Sequence, residues 1–287
     1  MDTKNPLTRR SFLEVCAAAP MAGAAAIKAL AAPAKPVPIG LELYSVRNDL
    51  EKDLYGTVTR VAKMGYQCVE FFSPYYDWTT DKAKLMRRKL DSLGIHCYST
   101  HNDPKSFTPD GIGKAIELNN IIGARTIVMA SAGEVKGADG WKRVAETLNQ
   151  ANKTLQAHGL NDRYHNHGAE WRPVEGQKPI EILATNTDAS IMLQLDVGTC
   201  LEAGADPVAW VRANPGRIRS MHLKDWSPKN GYKVLFGEGI APWKVLLEAA
   251  RKEGGAEFFL IEQEGSRYSE LDTAKRCLAA YHKLEGQ

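Results

Sequence analysis

From residue 38 onward the chain alternates short apolar runs with helical patterns, and it does so eight times. The strand-like runs are IGLELYSV (39–46), QCVEFF (67–72), IHCYST (95–100), RTIVMA (125–130), DRYHNH (162–167), SIMLQLDV (190–197), RIRSMHL (217–223) and EFFLIEQ (257–263). β-Branched and aromatic residues dominate most of them, as buried parallel strands require. Between them lie amphipathic stretches such as DKAKLMRRKLDSLG and APWKVLLEAARKEGG, several of which stop at glycine. Eight strand–helix units of roughly 30 residues predict a single α/β domain, a (β/α)8 TIM barrel over residues 39–287. A doubly wound open sheet would want a glycine-rich turn after its first strand. Here that strand runs into RNDLEKDL, without glycine.

The residues before the barrel read as an address. Thr8-Arg9-Arg10-Ser11-Phe12-Leu13 precedes an Ala-rich apolar run from Val15 to Ile27 and then Ala29-Leu30-Ala31. Charged segment, apolar segment and small-x-small site together predict a signal peptide over 1–31, of the twin-arginine export type. The apolar run is too short for the ~20 residues of a spanning helix, so no lasting membrane insertion is expected. A Pro-rich leader (32–38) follows, and the expected location is periplasmic or otherwise exported, with the twin-arginine machinery as a partner. The whole chain carries 37 basic and 34 acidic residues. Setting aside the first 31 residues leaves 33 and 32, a near-neutral chain with no electrostatic case for nucleic acid. Cys68, Cys97, Cys200 and Cys277 are scattered and form no CxxC, which predicts buried free thiols. A homo-oligomer is allowed but not specified.

Active sites of such barrels lie where the strands end. Glu70 sits on the second run, and His101 and Asn102 follow the third. The fifth ends in His165-Asn166-His167, the sixth in Asp196, the seventh in His222 followed by Lys224 and Asp225, and the eighth in Glu262 with Glu264 behind it. Several charges buried at one end of a core cost several kcal/mol each unless paired or bound to metal. Imidazoles and carboxylates gathered without arginine predict a divalent transition metal, Mn, Co, Zn, Fe or Ni. Trp171 and Trp226, in the loops past the fifth and seventh runs, are candidate aromatic walls for a sugar ring. Asp225 reads as a loop cap, and Gly237-Glu238-Gly239 as a turn.

The motifs VEFF, RYHNHGAEW, LQLDVGTCLEAGADP, SMHLKDW, FGEG and LIEQE together resemble the xylose-isomerase-like TIM-barrel superfamily of sugar isomerases and epimerases, along the whole mature chain. The resemblance implies one metal held by the ends of strands five to eight, here His165, Asp196, His222 and Glu262. His167 is the rival to His165, and Glu264 to Glu262. The epimerases of that superfamily carry a glutamate on strand five, which pairs with the strand-eight glutamate across the sugar carbon. With His165 in its place, that two-carboxylate device is incomplete. Glu262 and Lys224 are the expected proton-transfer groups, and Glu70, His101, His167, Trp171 and Trp226 the expected substrate contacts.

A divalent metal that holds a carbonyl and a neighbouring hydroxyl stabilises an enediolate. The expected activity is therefore metal-dependent isomerisation or epimerisation of a neutral sugar or cyclitol. Elimination from an exported 3-keto-glycoside, as a lyase or hydratase, is the nearest alternative. A non-catalytic sugar-binding barrel is the reading from a different class.

Overall fold

The computed structural model describes residues 36–286. The export signal expected over 1–31 and the leader residues 32–35 lie outside the described residues. Eight strands follow in order: β1 (Ile39–Glu42), β2 (Cys68–Phe71), β3 (His96–Asn102), β4 (Thr126–Met129), β5 (Asn161–His165), β6 (Met192–Asp196), β7 (Ser220–Leu223) and β8 (Phe258–Ile261). Each pairs in parallel with its sequence neighbour, and β8 pairs with β1. The sheet is a closed barrel in chain order, which leaves no edge strand.

The helices are α1 (Arg47–Lys52), α2 (Leu54–Met64), α3 (Thr80–Leu93), α4 (Ile112–Ile122), α5 (Gly137–Ala157), α6 (Pro179–Asn186), α7 (Val197–Glu202), α8 (Pro207–Ala213), α9 (Trp243–Ala249) and α10 (Glu270–Glu285). Their boundaries follow from local chemistry. In α3 the Thr79 side chain caps the first turn by accepting from Lys82 N, and the helix stops at Gly94 with φ 64°. Its buried stripe is Ala83, Met86 and Leu90, spaced by three and four. Among the described residues no helix is long and apolar enough to cross a membrane.

Strand register sorts the side chains into two layers, because alternate residues point to opposite faces. Leu41, Val69, Leu195, Met221, Phe259 and Ile261 belong to the core between strands and helices. Their neighbours in sequence fill the barrel. At its floor Arg163 lies over the Phe258 ring, 5.1 Å away, and donates to Glu257 Oε2 at 2.6 Å. Cys68 and Leu260 join Phe258 in a small apolar cluster. Above them the interior turns polar, with Glu70, Ser99, Gln194 and His222 all fully or almost fully buried. The described cysteines Cys68, Cys97, Cys200 and Cys277 are free and buried, as expected.

Candidate active site

Glu70 is the hub of the interior network. Its Oε1 meets His222 Nε2 at 2.7 Å and His101 Nε2 at 3.0 Å. Its Oε2 accepts from Gln194 Nε2 at 3.0 Å and from the Ser99 hydroxyl. Burial alone would raise this carboxyl, but the His101 and His222 rings and the Ser99 hydroxyl bring it down to about 2. Gln194 Oε1 bridges His101 Nε2 (2.9 Å) and His165 Nδ1 (3.1 Å). Three imidazoles therefore crowd the centre. Ring centroids are 4.7 Å apart for His101 and His165, and 4.5 Å for His165 and His222.

The protonation pattern divides these rings. Burial, reinforced by His222 and His101, holds His165 well below the usual imidazole range, so its lone pair is free. Burial acts the same way on His222, but Glu262 and Glu70 override it and push the ring well above that range. Its Nδ1 lies 2.5 Å from Glu262 Oε2. Burial would raise Glu262 as well, yet Lys224 and His222 hold it below the ordinary carboxylate value.

Asp196 fills two roles at the start of α7. One oxygen caps the helix by accepting from Thr199 N at 2.8 Å. The other, fully buried, has no directed hydrogen bond, although Lys224 Nζ approaches it to 2.7 Å. Gly198 packs close beside Lys224: a Cβ there would lie 3.0 Å from the Lys224 backbone oxygen and 3.1 Å from the Tyr232 ring. Lys224 also reaches Glu264 at 2.9 Å and Glu262 at 3.5 Å. Burial disfavours its charge, but Asp196, Glu262 and Glu264 keep it a firm ammonium.

His165, Asp196, His222 and Glu262 each offer one donor atom, and all four atoms lie within 4.8 Å of one another. His101, His165 and His222 form a second such group. The His165 and His222 rings and two carboxylates, among them the Asp196 oxygen without a directed donor, make a donor set that fits a divalent transition ion once His222 gives up its proton to the ion. His167 is exposed, 4.9 Å from the His165 ring, on the wall of the cavity above. Glu170 fixes its backbone by accepting from His167 N at 3.0 Å.

That cavity encloses about 420 Å³ and opens to solvent over Glu42, His101, His165 and Glu262. Trp171, expected on its wall, is buried in the outer core instead, edge-to-face with Trp210 at 5.2 Å. Trp226 is half-buried and does not line the cavity either. Its loop is organised by Asp225, whose carboxylate accepts from Trp226 N, Gly237 N, Gly239 N, Ala241 N and Trp243 Nε1. The cap expected at Asp225 is thus present, and Glu238 turns away to pair with Arg267. Gln194 and Glu42 were not among the sequence candidates. Spacing by two from Asp196 would have found Gln194, and Glu42 ends β1 as Glu70 nears the end of β2.

Residues 58–281 match the xylose isomerase-like TIM barrel family, and the chain belongs to it. Inosose dehydratase of Lacticaseibacillus casei is 26% identical over 213 residues, covering 63% of this chain and 70% of the relative. A sugar phosphate isomerase/epimerase from Parabacteroides distasonis superposes with a TM-score of 0.74 at 24% identity, covering 88% of this chain and 96% of its own. An IOLI protein crystallised with a zinc atom superposes at 0.65, with 13% identity and coverage of 86% and 97%.

Proposed function

We propose that the protein is an exported, divalent-metal-dependent enzyme that removes the proton beside the carbonyl of a neutral keto sugar or keto-cyclitol, and that the following step is elimination. The observation that carries this reading is the buried His165–Asp196–His222–Glu262 cluster with the Lys224 ammonium against it. Those four residues are the proposed ligands. A divalent ion held there would polarise the substrate carbonyl and stabilise negative charge on its oxygen.

The chain's own groups supply the proton steps. Glu262, kept ionised by Lys224 and His222, takes the proton from the carbon next to the carbonyl. The electron pair moves toward the carbonyl oxygen. It then returns to expel the oxygen substituent on the next carbon, which leaves with a proton from Lys224 Nζ. The products are an unsaturated ketone and water, or the freed alcohol of a glycoside. His101 and His167 flank the carbonyl and hydroxyls from the cavity wall, and Glu70 holds His222 from below.

Elimination is favoured over epimerisation because β5 ends in His165, so no second carboxylate faces Glu262 from that strand. The similarity to inosose dehydratase supports the same choice. Isomerisation or epimerisation is the second reading, since Lys224 can also return a proton to carbon. A binding-only barrel is disfavoured by the gathering of four buried donors in one cluster with the Lys224 ammonium against it.

The test is deuterium uptake from D2O beside the carbonyl of inosose and 3-ketoglucose, with absorbance of the conjugated ketone followed in parallel. Uptake with growth of that absorbance supports elimination. Uptake with a new ketose or epimer supports the second reading. The absence of both uptake and conjugated-ketone absorbance with metal supplied refutes both. Cell fractionation tests the export signal.

A further inference from the structure

The walls of the 420 Å³ cavity differ in chemistry. Tyr44, Phe72 and Tyr76, from the segments after β1 and β2, form one side. Tyr44 is 39% exposed, yet its ring is fixed. It stands edge-on to Phe72 at 5.3 Å, and the Arg47 guanidinium lies 4.4 Å over it. Arg47 is itself anchored by donating to the backbone oxygens of Tyr44 (2.9 Å) and Glu264 (3.1 Å). An aromatic ring held from two directions, with further surface open to the cavity, presents a rigid apolar platform at little entropic cost.

The remaining charged groups on the lining are the carboxylates Glu42, Asp103, Glu262 and Glu264; among the described residues no lysine or arginine belongs to the lining itself, Lys224 standing behind Glu262 and Glu264 and Arg47 over Tyr44. Carboxylates accept hydrogen bonds from hydroxyls. A phosphate ester would instead require guanidinium, ammonium or a nest of backbone N–H groups. The cavity also extends well beyond the His165–Glu262 floor, out to Tyr76, Pro104 and Gly133.

We propose that Tyr44, Phe72 and Tyr76 form a subsite for a second, unphosphorylated ring, joined glycosidically to the ring that reacts over Glu262. This deepens the deprotonation reading and rests on it. The second ring lays its apolar C–H face on the platform while its hydroxyls meet Asp103 and Glu264.

The test compares KM for deuterium uptake by the metal-loaded enzyme with three probes: 3-ketoglucose, 3-ketocellobiose oxidised on its non-reducing ring, and 3-ketoglucose 6-phosphate. The expected result is a KM about tenfold lower for the two-ring probe than for 3-ketoglucose, a scale set by aromatic contacts. The phosphate ester should have a higher KM than its parent. Tyr44→Ala and Tyr76→Ala should bring the two-ring to one-ring ratio toward one. Tyr44→Leu, which keeps packing volume beside Phe72, should do the same, which separates a lost platform from a damaged fold. Equal KM for the one-ring and two-ring probes, or preference for the phosphate, overturns the subsite while uptake itself leaves the deprotonation reading standing. The absence of both uptake and conjugated-ketone absorbance from every probe overturns both.

Discussion

Asp162 lies on β5, three residues before His165, and is fully buried on the outer side of the barrel. Neither of its carboxylate oxygens has a directed hydrogen-bond partner. Burial pushes its pKa up to about 8, with Asp188 adding to the effect. In the unfolded chain it returns to about 3.9. The native state therefore holds a proton between roughly pH 4 and 8 that the unfolded state has released, and stability falls as pH rises through that window. At pH 7 the penalty is about 4 kcal/mol, from roughly three pH units at 1.36 kcal/mol each. Asp162→Asn keeps the shape and removes the titration. The variant should match wild type near pH 4 and exceed it by up to about 4 kcal/mol at pH 7, read by urea unfolding at a series of pH values. A difference that stays constant from pH 4 to 8 would refute the reasoning, since it would mean that Asp162 ionises normally inside the fold.

Other predictions concern the site. Glu262→Gln should lower deuterium uptake by about 10²–10⁴-fold, the range for a lost proton-transfer group, as measured by NMR. Glu70→Gln, which weakens the hold on His222 Nε2, should raise the Kd for Mn or Zn about 10- to 100-fold in isothermal titration, with the far-ultraviolet spectrum unchanged. Saturating metal at 100 times its Kd should stabilise the chelator-treated protein by about 2.7 kcal/mol, seen as a rise in Tm that chelator reverses. Trp171→Phe should lower Tm while leaving KM unchanged, because the ring packs on Trp210 and not on substrate.

The barrel was legible because eight runs of apolar residues recur with helical stretches between them. The runs overshoot the strands for a physical reason. Leu43–Val46 continues the apolar pattern of β1, but the chain already coils there into a 3₁₀ turn, whose buried Leu43 and Val46 still face the core. Hydrophobicity reports burial, and the ladder ends sooner. Asp196, His222 and Glu262 stood out as lone charges closing apolar runs. Gln194 did not, since a neutral amide inside LQLD carries no charge to explain. Its role comes from His101, His165 and Glu70 reaching it from three other strands. Trp171 misled because a loop tryptophan beside a site looks like a wall. Its burial depends on Trp210, whose approach no local pattern announces.

The central claim is a metal site whose strand-five ligand is His165. It is tested most directly by elemental analysis of the protein purified without chelator, for wild type and His165→Ala. The account predicts a single transition-metal ion per wild-type chain and its loss from the variant. Wild-type protein that carries no metal and takes up none from Mn, Co or Zn would contradict it.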